Sequence, residues 1–340
     1  METSGRGAGI PAASFAGRTV SRIGYGAAQL DRLRDRPGEA VALLRRAIEL
    51  GVNHVDTAEF YGFGFANAVI REALHPEDGV LVVTKVGADP NPGGRLPLRI
   101  AQRPEQLRAS VEDNLRSLGV DRIPLVNLRR LDSGPGLRPE GDQVVDLDDQ
   151  LAVMTALRDE GKIGAIGLSS VSVDGLRRAL PASIVCVQNA YSLVSRDDED
   201  ILRLCVAEDI AWVPFFPLGG AFPGLPKVAD EPVVRAVAAS LAITPSQVGL
   251  AWLLHHAPNM LLIPGTADAA HLEANMAASE ITFDAATRAS LDAVESRSSE
   301  VPIGLPETAR PCSRPQARHP GGASPRRAGK PLLPGSKDGS

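Results

Sequence analysis

The chain has 340 residues, enough for one large α/β barrel or two ordinary domains, and 44% of them are hydrophobic, which is enough to fill a sizeable core. Its formal net charge of −5 argues against a general nucleic-acid binder. No apolar run is long enough to span a bilayer, no basic-then-apolar leader opens the chain, and Cys186, Cys205 and Cys312 lack C-x-x-C spacing, as expected of reduced thiols in a cytoplasmic protein.

Residues 1–12 are expected to be a disordered N-terminus, because Met1 to Gly9 are small, polar and Gly-rich. Residues 13–23 predict a β-hairpin with Gly17-Arg18 at its centre, ahead of the main fold. Residues 23–30 predict a short strand, and Gly24 and Gly26 imply a close backbone approach there.

Strands and helices then alternate. A helix over 39–50 is ended by Gly51, and a strand follows over 52–55. Next come a helix over 66–74, a strand over 80–83, and a helix over 104–118 with Pro at its start and Gly119 after its end. Strands over 123–128, 163–168, 184–187 and 210–213 are separated by helices over 147–160, 173–180 and 198–208. Helices over 231–241 and 245–256 precede a last strand at 261–263, a helix over 269–278 and an added helix over 282–294. Residues 299–340 are rich in Pro, Gly, Ser and Arg and are expected to form a disordered basic tail.

Alternation of this length implies parallel strands joined by helical crossovers. The strands are short apolar runs without period-two alternation, as in a sheet covered on both faces. The count is close to eight units, so the expected fold is a (β/α)8 TIM barrel over residues 13–298 with an N-terminal β-hairpin. No G-x-G-x-x-G follows an early strand, which weakens a Rossmann reading.

The chemistry concentrates where the strands end. Asp56, Tyr61 and Lys85 place a carboxylate, a phenol and an ammonium at the ends of neighbouring strands. A free phenol, with a pKa of about 10, is a poor acid at neutral pH. A nearby ammonium favours its phenolate, and a carboxylate holds the ammonium in place. Arg129, Ser169-Ser170, Gln188-Asn189, Phe215-Phe216 and Gly265-Thr266 follow the later apolar runs. Strand C-termini are where barrel enzymes build their sites. Helix capping accounts for a Ser or an Asp in such places, but not for Lys85, Arg129 and Gln188. No metal site is expected: His255-His256 sits late in a helix without a second ligand cluster. Trp212 and Trp252 fall in apolar runs and are expected in the core, while His54 is compatible either with packing or with the site.

Several segments in this order resemble the aldo-keto reductase superfamily: Gly24-Tyr-Gly-Ala, Val55-Asp-Thr-Ala, Phe60-Tyr-Gly, Val83-Thr-Lys, Gly167-Leu-Ser-Ser, Val187-Gln-Asn and Leu262-Ile-Pro-Gly-Thr. The resemblance implies a (β/α)8 barrel that binds NADPH without a Rossmann domain and reduces a small-molecule carbonyl, as a monomer or weak homo-oligomer. It casts Tyr61 as general acid, Lys85 as the neighbour that lowers its pKa and Asp56 as the lysine's partner. Ser169, Ser170 and Gln188 would hold the nicotinamide carboxamide, and Phe215 would stack on its ring. Leu218 would lie along the cofactor, and Gly265, Thr266, His271 and Asn275 would meet its adenosine-phosphate end. Two positions depart from the family pattern. Arg129 stands where a histidine is usual, and arginine cannot shuttle a proton, although it can donate to a developing oxyanion. Gly265 and His271 stand where cationic side chains often hold the 2′-phosphate, which leaves NADH open.

A narrower similarity, carried by Asn127-Leu-Arg129 and Phe215-Phe-Pro-Leu-Gly-Gly220, points to a bacterial branch that includes pyridoxal reductases. The loop from Asp31 to Gly38 is shorter than expected for that branch. The rival reading is a nucleotide-binding regulatory barrel whose catalysis is weakened by Arg129. An intact Asp56, Tyr61 and Lys85 favour the enzyme, because a pure binder has no use for them.

Overall fold

A computed structural model describes residues 12–220 and 225–298. The expected terminal segments, 1–12 apart from Ala12 and 299–340, lie outside the described residues, as do residues 221–224.

The strands are β1 (Ala13–Phe15), β2 (Arg18–Val20), β3 (Tyr25–Gly26), β4 (His54–Asp56), β5 (Leu81–Val86), β6 (Ala88–Pro90), β7 (Leu98–Ile100), β8 (Ile123–Arg129), β9 (Ile163–Ser169), β10 (Ile184–Gln188) and β11 (Ala211–Trp212). The helices are α1 (Pro37–Glu49), α2 (Phe65–Ala73), α3 (Pro104–Leu118), α4 (Leu147–Asp159), α5 (Val173–Ala179), α6 (Glu199–Ala207), α7 (Pro232–Leu241), α8 (Pro245–His256), α9 (Ala269–Ala277) and α10 (Ala285–Asp292).

Strands β3, β4, β5, β8, β9, β10 and β11 pair side by side in one sheet, all in parallel. The eighth position is filled by residues 260–262, which bridge β11 through Trp212–Met260 and the start of the sheet through Ile23–Leu262. The sheet thereby closes on itself as a (β/α)8 barrel. The expected strand at 261–263 is thus present as isolated bridges rather than a full ladder. Arg22 fastens this segment, its guanidinium donating to the carbonyls of Met260 (2.9 Å) and Ala257 (2.7 Å).

The hairpin forms as expected, but its turn is Ala16-Gly17 rather than Gly17-Arg18. Both turn residues take positive φ, 48° and 74°, the geometry that suits a two-residue hairpin loop. Phe15 and Val20 point from it into a cluster with Leu81, Val83, Leu125, Cys186, Ala211, Val213 and Leu261. The hairpin therefore plugs the N-terminal end of the barrel. A larger cluster fills the layer between sheet and helices.

Two features were not anticipated from sequence. Residues 27–33 form a 3-10 helix instead of continuing the first strand, and β6–β7 is an antiparallel hairpin beyond β5. Gly24 and Gly26 mark a close approach as expected. A Cβ at Gly24 would collide with the His54 ring, and one at Gly26 with the Ile263 carbonyl.

Candidate active site

Asp56 is the last residue of β4, and Lys85 the fifth of β5. Both lie within the strands rather than after them, so sheet pairing holds their backbones. On β5, Leu81 and Val83 face the barrel interior, and the period of two carries Lys85 to the same side, one layer nearer the strand C-termini. There its ammonium pairs with Asp56 Oδ1 and donates to the Thr57 carbonyl and the Tyr61 hydroxyl, each at 3.0 Å. Asp56 and Lys85 are buried, whereas Tyr61 is partly exposed. Desolvation pulls the Lys85 ammonium down, but Asp56 and Tyr61 outweigh it and hold its pKa above the ordinary lysine value. The ammonium is thus a fixed charge, buried below and aimed at one phenol above.

Gln188, at the end of β10, gives its Nε2 to Asp56 Oδ2 at 2.7 Å. Its buried Oε1 has no hydrogen-bond partner among the described residues. Ser169 is paired in register with both Gln188 and Arg129, and Ser170 follows at φ 51° with its N–H on the Gln188 carbonyl. Neither serine hydroxyl meets a protein partner among the described residues. These three residues therefore come together beside Asp56, with an acceptor and two hydroxyls left over.

Arg129, at the end of β8, is partly buried. Its guanidinium lies 5.7 Å from the centre of the Phe60 ring, and burial lowers its proton affinity while Tyr61 opposes that effect. Pairing with Asp132 belongs instead to Arg130, which points to the other side of the sheet and also meets the Gln150 side chain and the Val145 carbonyl.

A second group of predicted residues sits around the start of α9. Gly265 packs on the Gly26 carbonyl, and Gly26 is in register with Asp56. The Thr266 carbonyl accepts from Tyr25 at 2.6 Å. Asp268 caps α9 by accepting from the His271 N–H at 2.9 Å, His271 itself is exposed, and Asn275 is buried one turn on. Phe215 pairs through its N–H with the Asn189 carbonyl and sets its ring edge-on to Phe216. Leu218 is partly buried against the core and faces Gly249. No contact joins His271 to Tyr61 or Lys85 among the described residues.

Several participants were not legible as motifs. The Thr57 carbonyl completes the lysine's set of acceptors. Gln102 donates to the carbonyls of Gly87 and Arg129, 2.7 Å each, and so ties the end of β5 to the end of β8. Phe60 lies beneath Arg129. His54, left open in the sequence, is on the inner side of β4 but two residues below Asp56. It packs edge-on against Phe15 of the hairpin, 5.8 Å between centroids, and takes no part in the site.

A closed parallel barrel with a buried ion pair aimed at a phenol at its C-terminal end is the arrangement of a barrel oxidoreductase. The chain belongs to the aldo/keto reductase family, whose model matches residues 22–296. It is 42% identical over 286 residues to the pyridoxine 4-dehydrogenase of Escherichia coli, covering 82% of this chain and 96% of that one. An uncharacterized oxidoreductase of Schizosaccharomyces pombe is 35% identical over 285 residues, covering 80% and 86% of the two chains. Among solved structures, an aldo-keto reductase from Klebsiella pneumoniae in complex with NADPH superposes with a TM-score of 0.69 at 27% identity, covering 83% of this chain and 94% of that one.

Proposed function

We propose that the protein reduces an aldehyde or ketone to the alcohol with NADPH, Tyr61 giving the proton to the carbonyl oxygen. The observation that carries this reading is the line Asp56–Lys85–Tyr61. A buried ion pair serving structure alone has no need to aim its ammonium at a partly exposed phenol. The phenol offers its proton at the mouth, and the ammonium beneath stabilises the oxygen that loses it.

NADPH, when bound, supplies the hydride. The residues fit it: the free Gln188 Oε1 and the hydroxyls of Ser169 and Ser170 match the donors and acceptor of a carboxamide. Phe215 offers a ring face, Leu218 an apolar wall, and Gly265, Thr266, His271 and Asn275 the adenosine-phosphate end. Gly265 has no side chain and His271 is exposed, so NADH stays open as a second cofactor. The relative at 42% identity directs the first substrate tests to pyridoxal and pyridoxine.

The test is loss of NADPH absorbance with a panel of aldehydes including pyridoxal, repeated with NADH. Tyr61→Phe is expected to lower the rate at least 100-fold, the scale of one general acid, while nucleotide binding stays near wild type. A loss of NADPH affinity as large as the loss of rate would refute the role given to Tyr61.

A further inference from the structure

Two other arginines shielded from solvent, Arg22 and Arg130, spend their donors inside the protein. Arg22 gives its donors to two carbonyls, and Arg130 takes Asp132, Gln150 and Val145. Arg129 differs. Among the described residues no carboxylate lies within ion-pair distance of it, and its side chain makes no hydrogen bond. The Phe60 ring face answers part of the charge but none of the five N–H donors.

The charge balance at the mouth follows from this. Asp56 cancels Lys85, and Gln188, Ser169 and Ser170 are neutral, so one positive charge remains, on Arg129. Its backbone is fixed on one side by the ladder to Ser169 and on the other by Gln102, which sets where the side chain starts, and the Phe60 ring lies against the guanidinium. A guanidinium partly stripped of water and left without an anion costs free energy unless a ligand supplies one. Its planar fork fits a carboxylate or phenolate oxygen better than a neutral carbonyl, which can take only one or two of the donors.

We propose that Arg129 is a specificity-determining residue, selecting carbonyl substrates that carry an anionic oxygen, phenolate or carboxylate, close to the reacting carbonyl. This rests on the reductase reading above. A neutral aldehyde leaves the fork mostly unsatisfied, whereas a hydroxy-aldehyde ionised beside its carbonyl places an anion against it.

The experiment compares pyridoxal, whose ring hydroxyl is ionised at neutral pH, with pyridine-4-carbaldehyde, which lacks it, using NADPH and the full chain. Arg129→Met is expected to lower kcat/KM for pyridoxal about 10- to 100-fold more than for the neutral aldehyde, the span of one hydrogen bond to a charged group. Arg129→Lys, which keeps the charge but not the planar fork, should keep only part of the preference. An unchanged ratio in Arg129→Met overturns the assignment while leaving the reductase reading intact. A wild type that oxidises neither NADPH nor NADH with any member of the aldehyde panel refutes the reductase reading instead. A second measurement needs no variant: benzoate should compete with pyridine-4-carbaldehyde in the wild type far better than benzamide does. Equal competition by the two overturns the assignment as well.

Discussion

His54 provides a quantitative test of how the lower barrel is built. Its ring is buried to 1% exposure between Phe15 and Gly24, and neither nitrogen has a protein hydrogen bond among the described residues. Burial pulls its pKa from 6.5 down to about 4, so the folded state resists the proton that the unfolded chain accepts. The sign follows by linkage: above pH 6.5 protonation takes nothing from stability, and stability falls as pH drops from there toward 4. At about 1.4 kcal/mol for each tenfold change in proton affinity, the full loss approaches ~3 kcal/mol, of which about 2 is reached by pH 4.5. His54→Leu removes the group and keeps a side chain of similar size. The assay is urea unfolding of both proteins at pH 7 and pH 4.5. Subtracting the two pH values cancels the packing difference between His and Leu and any carboxylate titration common to both. The wild type should lose about 2 kcal/mol more than the variant. Equal losses would show that His54 accepts its proton in the folded barrel, and that the hairpin plug does not shut it off from water.

Two further perturbations probe the site and the layer beneath it. Lys85→Met leaves Asp56 buried with Gln188 alone, so it should cost about 3–5 kcal/mol of stability in chemical denaturation, besides the loss of rate, and a second change of Asp56→Asn should restore part of that stability. Gly167→Ala drives a methyl group into the Asn127 side chain inside the barrel and should cost about 1–3 kcal/mol, largely recovered in a double variant with Asn127→Ala; an additive double variant would place the clash elsewhere.

What could be read from the sequence was whatever local patterns fix. Helix periods, stop glycines and unalternated apolar runs report burial of an element against its immediate neighbours, and they led to the barrel. Asp56, Lys85, Arg129, Ser169 and Gln188 were legible because a strand end in a barrel points to one place whatever surrounds it. Boundaries fared worse where pairing overrode propensity. Asp56 is inside β4 because β3 and β5 flank it on both sides, and the eighth strand shrinks to bridges held by Arg22. The role of His54 depended on Phe15, 39 residues earlier, and no window along the chain contains both. Nothing local to Arg129 says whether it enters the mouth or turns away to a nearby carboxylate such as Asp132. Pleat parity decides it: Arg130 is on the outer side with Asp132, so Arg129 is left facing inward.

The position of Tyr61 depends on residues that no motif includes. Four residues separate it from Asp56, along a turn closed by Tyr61 N–H to the Ala58 carbonyl and Gly64 N–H to the Glu59 carbonyl. The turn is short, ends in Gly64 at φ 85°, and packs Ala58 and Phe60 in only a small cluster with Ala88. It is braced from behind. Thr57 Oγ1 donates to Asn67 Oδ1 at 2.8 Å, and Asn67 Nδ2 reaches Glu59 (2.7 Å), Ser117 (2.9 Å) and Asn114 (3.2 Å). Thr84, the residue before Lys85, donates to Asn114 Oδ1 at 2.6 Å. The strand that carries the ammonium and the turn that carries the phenol are therefore tied to the same two asparagines on α2 and α3. Burial pushes the Glu59 carboxyl above its ordinary pKa, with Ser117 and Asn67 opposing, so its hydrogen bonds are made in a region that penalises any group left unpaired. In sequence Asn67 and Asn114 look like ordinary polar residues on a helix. Their buried side chains hold a 3.0 Å contact between Lys85 and Tyr61 that the two residues, on separate elements, could not fix alone.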